Sequence, residues 1–232
     1  PYLKNKGSAV RFCLWPQNMK KYSRVSHIIN LIEKDEKVLD IGCTGGYQFV
    51  DPNSPLAEYS YSGDHTSFDE EDFYWLHAQL NKKTNNLIGI DITEEQINFM
   101  QQLGYNVYAK NAENFNLNDK FSKIIASEII EHLFNVRDFL NCCKKHMDNK
   151  SELIVTTPAA HSLLSFLYAF LKFPNTNSNK EHTHLYCLDS IKYTFSEAGL
   201  KIKKIDLVKD YRFVKRNLFY NLFFFLIVLF SP

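Results

Sequence analysis

The chain has almost no net charge, no paired cysteine motif and no internal repeat. Its formal net charge is +1, so no overall electrostatic field draws it to nucleic acid. The five cysteines contain no CxxC pair, which argues against a disulfide framework and indicates free thiols in a reducing compartment. No secretory signal is visible at the start of the sequence either. Together these absences predict a cytoplasmic location.

Long hydrophobic runs are also scarce, and the exception lies at the end of the chain. Residues 218–230, LFYNLFFFLIVLF, are nearly all apolar but fall short of the ~18 residues that a membrane-spanning helix needs. Two basic clusters precede this run, at residues 201–204 and 209–216. The preferred interpretation is a final buried strand or helix. The alternative is peripheral contact of an apolar tail, residues 211–232, with an anionic membrane surface.

Strand-like and helix-like segments alternate through the rest of the chain. Hydrophobic residues make up 45% and charged residues 23% of the 232 residues, which suits one globular domain. The predicted strands cover residues 38–41, 87–90, 105–109, 123–126, 152–156 and 200–208. The predicted helices cover residues 23–34, 93–103, 136–146 and 190–198, with Thr93 as an N-cap. This alternation indicates an α/β fold with a parallel sheet covered by helices on both faces.

Domain boundaries follow from the same pattern. Residues 1–22 are assigned to an N-terminal extension and residues 23–210 to the domain itself. Two segments are longer than a crossover between strands needs, and they are interpreted as insertions at about residues 51–81 and 159–181. The first insertion is aromatic and acidic. The second begins with an apolar helix and continues as a polar loop.

The stretch from Val38 to Tyr47, VLDIGCTGGY, ends a predicted strand in an acid and continues as a turn of small residues. Gly42 and Gly46 lack a Cβ, so the backbone there can approach a ligand closely. A dinucleotide site would open a helix with GxGxxG and seat a pyrophosphate, which Asp40 would repel. Asp40 instead favours a cationic ligand such as S-adenosylmethionine, which carries a sulfonium and an ammonium group.

This turn resembles the first motif, DxGxGxG, of the class I S-adenosylmethionine-dependent methyltransferases, with Thr44 in place of the middle glycine. Further stretches resemble that family's motifs in the family's order: IGIDI at 88–92, NAENF at 111–115, ASEIIEHL at 126–133, LIVTTP at 153–158, EHTHLY at 181–186 and FSEAGL at 195–200. The resemblance covers about residues 23–208. It implies a Rossmann-like, doubly wound, mostly parallel seven-stranded sheet and S-adenosylmethionine as cofactor.

The resemblance also implies roles for individual residues. The carboxylate of Asp91 is expected to hold both ribose hydroxyls, and Asn111 to accept from the adenine amino group. The full set of expected cofactor-binding residues is Asp40, Gly42, Cys43, Thr44, Gly46, Asp91, Ile92, Asn111, Ala112 and Ser127.

A cluster of acids and a histidine carries the expected chemistry. Glu128, Glu131 and His132 have the spacing i, i+3, i+4, which places three side chains on one face of a helix. Two carboxylates and an imidazole suit a divalent ion such as Mg²⁺, with His182, ranked ahead of His184, as a fourth ligand. The same pattern resembles the metal-using ubiquinone-biosynthesis O-methyltransferases and small-RNA 2′-O-methyltransferases.

Glu128, Glu131, His132 and His182 are therefore the predicted catalytic residues and candidate metal ligands. Without a metal, His132 or His182 would act as general base. The remaining histidines are interpreted as surface or packing residues: His27, His65, His77, His146 and His161.

The acceptor is expected to be a small molecule, a glycan or a lipid-linked compound that is methylated at oxygen. Acidic residues in the first insertion discourage phosphate-rich acceptors, and the basic residues of 201–216 lie away from the predicted site. An RNA acceptor is the second enzymatic interpretation. A catalytically silent binding module is the third, because Thr44 and Asn111 depart from the cofactor motifs.

Overall fold

The computed structural model describes residues 9–14, 24–45, 75–158 and 181–207. The strands are β1 (Ala9–Leu14), β2 (Val38–Ile41), β3 (Leu87–Asp91), β4 (Val107–Ala109), β5 (Lys123–Ser127), β6 (Glu152–Thr156) and β7 (Lys201–Leu207). The helices are α1 (Arg24–Ile29), α2 (Leu76–Lys83), α3 (Glu94–Gln102), α4 (Val136–Lys145) and α5 (Leu188–Glu197). Strands β2 and β6 begin and end where the apolar runs of the sequence predict.

The strands form one sheet in the order β4-β3-β2-β5-β6-β1-β7, in which every neighbouring pair is parallel. From β2 the chain moves outward through β3 to β4, and then returns to the other side of β2 with β5 and β6. The strand order therefore reverses between β2 and β5. In open α/β sheets, ligands bind at such a point, outside the carboxyl ends of the strands.

Helices cover both faces of this sheet. Successive strand residues face opposite sides, so the side chains of one strand contribute to two cores. One core joins α4 and α5 to Leu39, Ile124 and Leu153. The other joins α1 and α2 to the next residue of two of these strands, Ile125 and Ile154. The predicted Rossmann-like α/β class is confirmed.

The N-terminal boundary differs from the prediction. Residues 1–22 were expected to lie outside the domain, but β1 lies inside the sheet, with Ala9 opposite Glu152 of β6 and Lys201 of β7. Both partners of β1 are far away in the sequence, so no local pattern marks it as part of the domain. The C-terminal tail, the second insertion and most of the first lie outside the described residues. None of the described helices combines the length and hydrophobicity needed to cross a membrane.

Candidate active site

Four neighbouring strands end at the same edge of the sheet and bring most of the predicted site residues together. The turn after β2 starts at Gly42, β3 ends at Asp91, β5 ends at Ser127 and β6 ends at Thr156. Because these strands surround the point where the strand order reverses, the edge is the expected ligand site of the fold.

The turn after β2 requires glycine at two positions. Gly42 and Gly45 have φ values of +82° and +63°, a region that residues with a Cβ rarely adopt. At Gly42 the approach is also close, because a Cβ there would lie 2.2 Å from Cδ1 of Ile129. The turn is anchored to β3 through the backbone N–H of Gly42, which donates to the carbonyl of Ile90 at 2.8 Å. The predicted Gly46 lies outside the described residues.

The carboxylate of Asp91 accepts four hydrogen bonds from two threonines. Thr44 donates to Oδ2 from its hydroxyl at 2.7 Å and from its backbone N–H at 3.3 Å. Thr93 donates to Oδ1 from the same two groups, each at 3.0 Å. Thr93 is the N-cap residue of α3, as predicted, but its hydroxyl donates to Asp91 and makes no capping hydrogen bond. These hydrogen bonds to both carboxylate oxygens fix the orientation of the Asp91 side chain.

Asp40 is buried beneath the turn and paired with a histidine. Its Oδ2 lies 2.9 Å from Nδ1 of His77 on α2, and the two residues are only 2% and 1% exposed. His77 was predicted to be a surface or packing residue, and it is instead the partner of a buried carboxylate. The signal for it was absent from the sequence, because the two residues are 37 positions apart.

Cys43 contributes its backbone carbonyl to the contacts of the turn, and its thiol is buried. Its side chain packs in a core with Trp75 and Ile97, and burial raises the pKa of the thiol well above its usual value. Its carbonyl accepts from the indole N–H of Trp75 at 3.0 Å. Because its thiol is buried in this core, the side chain of Cys43 is not placed to contact a ligand at the edge of the sheet.

The other predicted cofactor-binding residues Ile92, Asn111 and Ala112 lie after β3 and β4. Ile92 follows Asp91 and is 71% exposed, so its side chain is accessible to a ligand. Oδ1 of Asn111 accepts from the backbone N–H of Glu113 at 2.8 Å, which holds the loop after β4 in a turn. Ala112 packs partly buried against the core next to it.

The segment after β5 is not the helix that the spacing of its acids predicts. Residues 128–134 form turns, and α4 starts only at Val136. Glu128 has a φ of +57°, which is incompatible with a helix beginning there. Its backbone N–H donates to the carbonyl of Thr156 at 3.0 Å, and its Oε1 accepts from the hydroxyl of Thr156 at 2.8 Å. The carboxylate of Glu128 is thus tied to the end of β6.

The turns nevertheless bring Glu131 and His132 together with His182. One ligand-type atom from each residue lies within 4.8 Å of the others. The segment holding His182 is anchored by the backbone N–H groups of Thr183 and His184, which donate to the carbonyl of Glu131 at 2.8 and 3.1 Å. The ring of His184 instead interacts with Thr183 and Tyr186. His182, rather than His184, is therefore the third member of this cluster.

Electrostatics within this cluster favour the neutral forms of Glu131 and His182. Glu131 is 1% exposed, and its Oε2 accepts from the hydroxyl of Thr157 at 3.0 Å, whereas its buried Oε1 has no hydrogen-bond partner among the described residues. Burial, and then the nearby carboxylate of Glu128, raise the pKa of Glu131 to about 8. Burial and then the neighbouring His132 lower the pKa of His182.

Ser127 belongs to a polar network under the same edge. Its hydroxyl lies 3.0 Å from the hydroxyl of Thr156 and accepts a hydrogen bond from the guanidinium of Arg24 at the start of α1. The network thus leads from α1 through β5 and β6 to Glu128. Arg24, Thr156 and Thr157 are parts of the site that the sequence analysis did not single out.

A family model described as "Methyltransferase domain" matches residues 11–205, which is most of the chain. The chain belongs to this family. The resemblance to class I S-adenosylmethionine-dependent methyltransferases is thereby confirmed, and the residues described above form the candidate active site of a methyltransferase domain. The match also includes most of β1, in agreement with the position of that strand in the sheet. No curated protein matches the chain.

Several solved structures are similar to this chain, including the following three. YcgJ from Bacillus subtilis is 19% identical, with a TM-score of 0.48, and the match covers 75% of this chain and 66% of that one. An S-adenosylmethionine-dependent methyltransferase from Clostridium acetobutylicum is 16% identical, with a TM-score of 0.35 and coverages of 56% and 44%. The small RNA methyltransferase HEN1 is 15% identical, with a TM-score of 0.49 and coverages of 76% and 21%. The chain thus spans less than two thirds of the length of each of these proteins.

Proposed function

We propose that this methyltransferase domain transfers the methyl group of S-adenosylmethionine to an oxygen of a small-molecule, glycan or lipid-linked acceptor. The observation that carries the cofactor assignment is the carboxylate of Asp91, oriented at the end of β3 beside the glycine turn of Gly42. Asp91 would hold the ribose hydroxyls, and the backbone of the turn would contact the rest of the cofactor. Asp40 is buried and paired, so it would act by shaping the turn.

The acceptor end is assigned to Glu131, His132 and His182. Methyl transfer from a sulfonium is an in-line displacement whose rate depends mainly on positioning of the nucleophile. A hydroxyl nucleophile must also lose its proton, and an imidazole that is neutral near neutral pH can accept it. The lowered pKa of His182 keeps this ring in the accepting form, which supports His182 as the general base.

Two exposed apolar side chains flank this cluster in the sequence and support an acceptor with an apolar part. Phe134 follows His132 by two positions and is exposed over most of its surface, and Leu185 follows His182 by three positions and is about half exposed. Contiguous exposed apolar surface marks interaction sites, and we propose that these two side chains contribute to such a surface beside the cluster. Peripheral membrane contact through the C-terminal tail and a cytoplasmic location remain part of this proposal.

A second candidate function uses a metal, and the cluster of three ligand-type atoms favours it. Glu131, His132 and His182 fit a divalent ion, with two imidazoles and one carboxylate. This donor set suits Mn²⁺, Fe²⁺, Co²⁺ or Zn²⁺ better than Mg²⁺, which prefers oxygen ligands. The carboxylate of Glu128 is held by Thr156 and is not part of the set. Such an ion would lower the pKa of acceptor hydroxyls, as proposed for the RNA 2′-O-methylation alternative.

Methyl transfer from labelled S-adenosylmethionine to lipid, polysaccharide and RNA fractions of a cell extract tests the acceptor class. We expect label in the lipid or polysaccharide fraction, and label confined to RNA would replace this proposal with the second candidate. The same assay in EDTA separates the two chemistries. Retained activity is expected, whereas loss in EDTA and recovery with Mn²⁺ would establish the metal. Calorimetry with S-adenosylmethionine argues against a silent binding module if heat of binding is observed, since a scaffold need not bind the cofactor, and methyl transfer in the assay above excludes it.

A further inference from the structure

Two side chains from one short segment contact the cofactor turn from the side of α2. Trp75, immediately before α2, donates its indole N–H to the carbonyl of Cys43 at 3.0 Å. His77, in the first turn of α2, pairs with the carboxylate of Asp40 at 2.9 Å. The turn between these two contacts contains Gly42. One segment therefore fixes both the acid that precedes the turn and a carbonyl within it.

The space for this arrangement is provided by β3. A Cβ on Gly89 would lie 2.6 Å from Cε1 of His77 and 2.8 Å from the Cβ of Cys43. Because real Cβ atoms do not approach other atoms so closely, the absence of a side chain at Gly89 lets the imidazole reach Asp40. The rings of Trp75 and Tyr105 lie 6.2 and 5.7 Å from the imidazole and enclose it.

We infer that Trp75 and His77 are positioning residues for the cofactor, which act by holding the turn after β2 in its binding shape. A buried carboxylate without a hydrogen-bond partner is costly, so the loss of His77 would drive Asp40 toward solvent and displace the turn. The loss of the indole N–H would remove the hydrogen bond that holds the carbonyl of Cys43 in the turn. The inference rests on the proposed function, since it takes this turn to be the cofactor site.

The effect is expected in cofactor affinity and not in the transfer step. Isothermal titration calorimetry on the full chain measures the Kd for S-adenosylmethionine, and methyl-transfer assays separate KM from kcat. We expect His77→Leu to weaken binding about 10-fold and Trp75→Phe about 5-fold, which corresponds to the loss of one buried hydrogen bond in each case. The kcat at saturating cofactor should stay within about twofold of wild type, because neither side chain is in the acceptor cluster.

Conservative and matched variants separate positioning from general destabilisation. His77→Asn retains an N–H donor near the position of Nδ1 and should bind within about threefold of wild type. His146 is a second buried histidine, 2% exposed, whose Nδ1 lies 2.7 Å from the carbonyl of Cys142, away from the turn. His146→Asn should lower the melting temperature and leave the Kd unchanged. If His77→Leu does not fold, the Kd of Trp75→Phe still tests the inference.

Wild-type affinity in folded His77→Leu or Trp75→Phe would overturn the inference, and so would an equal loss of affinity in His146→Asn. In either case the proposed function would stand, because wild-type protein would still bind the cofactor and transfer methyl groups. Failure of the wild type itself to bind S-adenosylmethionine would instead remove the proposed function, and with it the basis of the inference.

Discussion

The two ends of the candidate site differ in how the protein satisfies its acids. At the cofactor end, Asp91 accepts four hydrogen bonds and Asp40 is paired with a buried histidine. At the acceptor end, Glu131 is as deeply buried as Asp40, yet one of its oxygens has no hydrogen-bond partner among the described residues. The first end is held in one geometry by the protein. The second retains an unsatisfied group at which a substrate or a proton can be bound.

The difference follows from the cost of burying polar groups. A buried oxygen without a partner costs about 1–3 kcal/mol, so a protein retains one mainly where another requirement outweighs stability. At the cofactor end, threonine hydroxyls and backbone N–H groups remove that cost and also orient the carboxylates. We therefore expect substitutions at the cofactor end to change affinity, and substitutions at the acceptor end to change turnover or the response to pH.

The largest effect is expected from the proposed general base. His182→Gln removes the proton acceptor, so kcat should fall by about 10²- to 10⁴-fold while the Kd for S-adenosylmethionine stays unchanged. Steady-state kinetics and calorimetry measure the two quantities. His184→Gln is the matched control, because its ring interacts with Thr183 and Tyr186, and its kcat should stay near wild type. A His182→Gln enzyme with normal kcat would remove this residue from the chemistry.

The next largest effect is expected at the other end. Asp91→Ala removes the acceptor for both threonines and the proposed acceptor for both ribose hydroxyls, so cofactor affinity should fall about 100-fold, or about 2.7 kcal/mol. Calorimetry with S-adenosylmethionine measures the loss directly. Unchanged affinity would show that the four hydrogen bonds to this carboxylate serve only the fold, and the contrast between the two ends would disappear.

A smaller effect is expected in the pH dependence of stability. Because the pKa of Glu131 is raised from 4.5 to about 8, the folded protein keeps a proton that the unfolded chain releases between these values. Its contribution to stability is therefore fully present below about pH 4.5 and is lost as the pH rises toward 8. Glu131→Gln cannot ionise, so its stability relative to wild type should rise steadily as the pH increases across this window.

Urea unfolding at several pH values measures this change in the free energy of unfolding. Glu197→Gln is the control, because this glutamate is exposed at the end of α5 and should follow the wild-type pH dependence. If Glu131→Gln and wild type lose stability in parallel as the pH rises, Glu131 does not retain the proton that its burial predicts.

The smallest effect is expected from the threonine that replaces a glycine in the first motif. Thr44→Val removes the hydroxyl that donates to Asp91 at 2.7 Å but keeps the shape and the backbone N–H. Cofactor affinity should fall about fivefold, or about 1 kcal/mol, because the carboxylate is oriented less firmly. Thr44→Ser retains the hydroxyl and should bind like wild type. Tighter binding by Thr44→Val would mean that the hydroxyl competes with the ribose.

Most of the sheet and the turn after β2 could be predicted from the sequence because their signals are local. The apolar runs at residues 38–41 and 152–156 match β2 and β6. Parallel strands end at one edge, so the placement of Asp91 beside the glycine turn follows from strand assignment alone. Two glycines with positive φ, Gly42 and Gly45, also lie where the motif predicts a tight turn.

The contacts that complete the site could not be predicted in the same way. The spacing of Glu128, Glu131 and His132 suggested a helix, but the left-handed backbone of Glu128 is stabilised by Thr156 on a different strand. His77 has no local feature that marks it as the partner of Asp40. These contacts depend on tertiary packing between segments distant in sequence, and periodicity and spacing carry no information about such packing.

The close packing of His77 against Gly89 has a consequence for how this protein can diverge. Any relative that acquires a methyl group at position 89 has no room for an imidazole at position 77, and its buried acid must find another donor or be replaced. Positions 40, 77 and 89 should therefore change as a group among descendants of this sequence, and a single exchange at one of them should be rare without compensation at the other two.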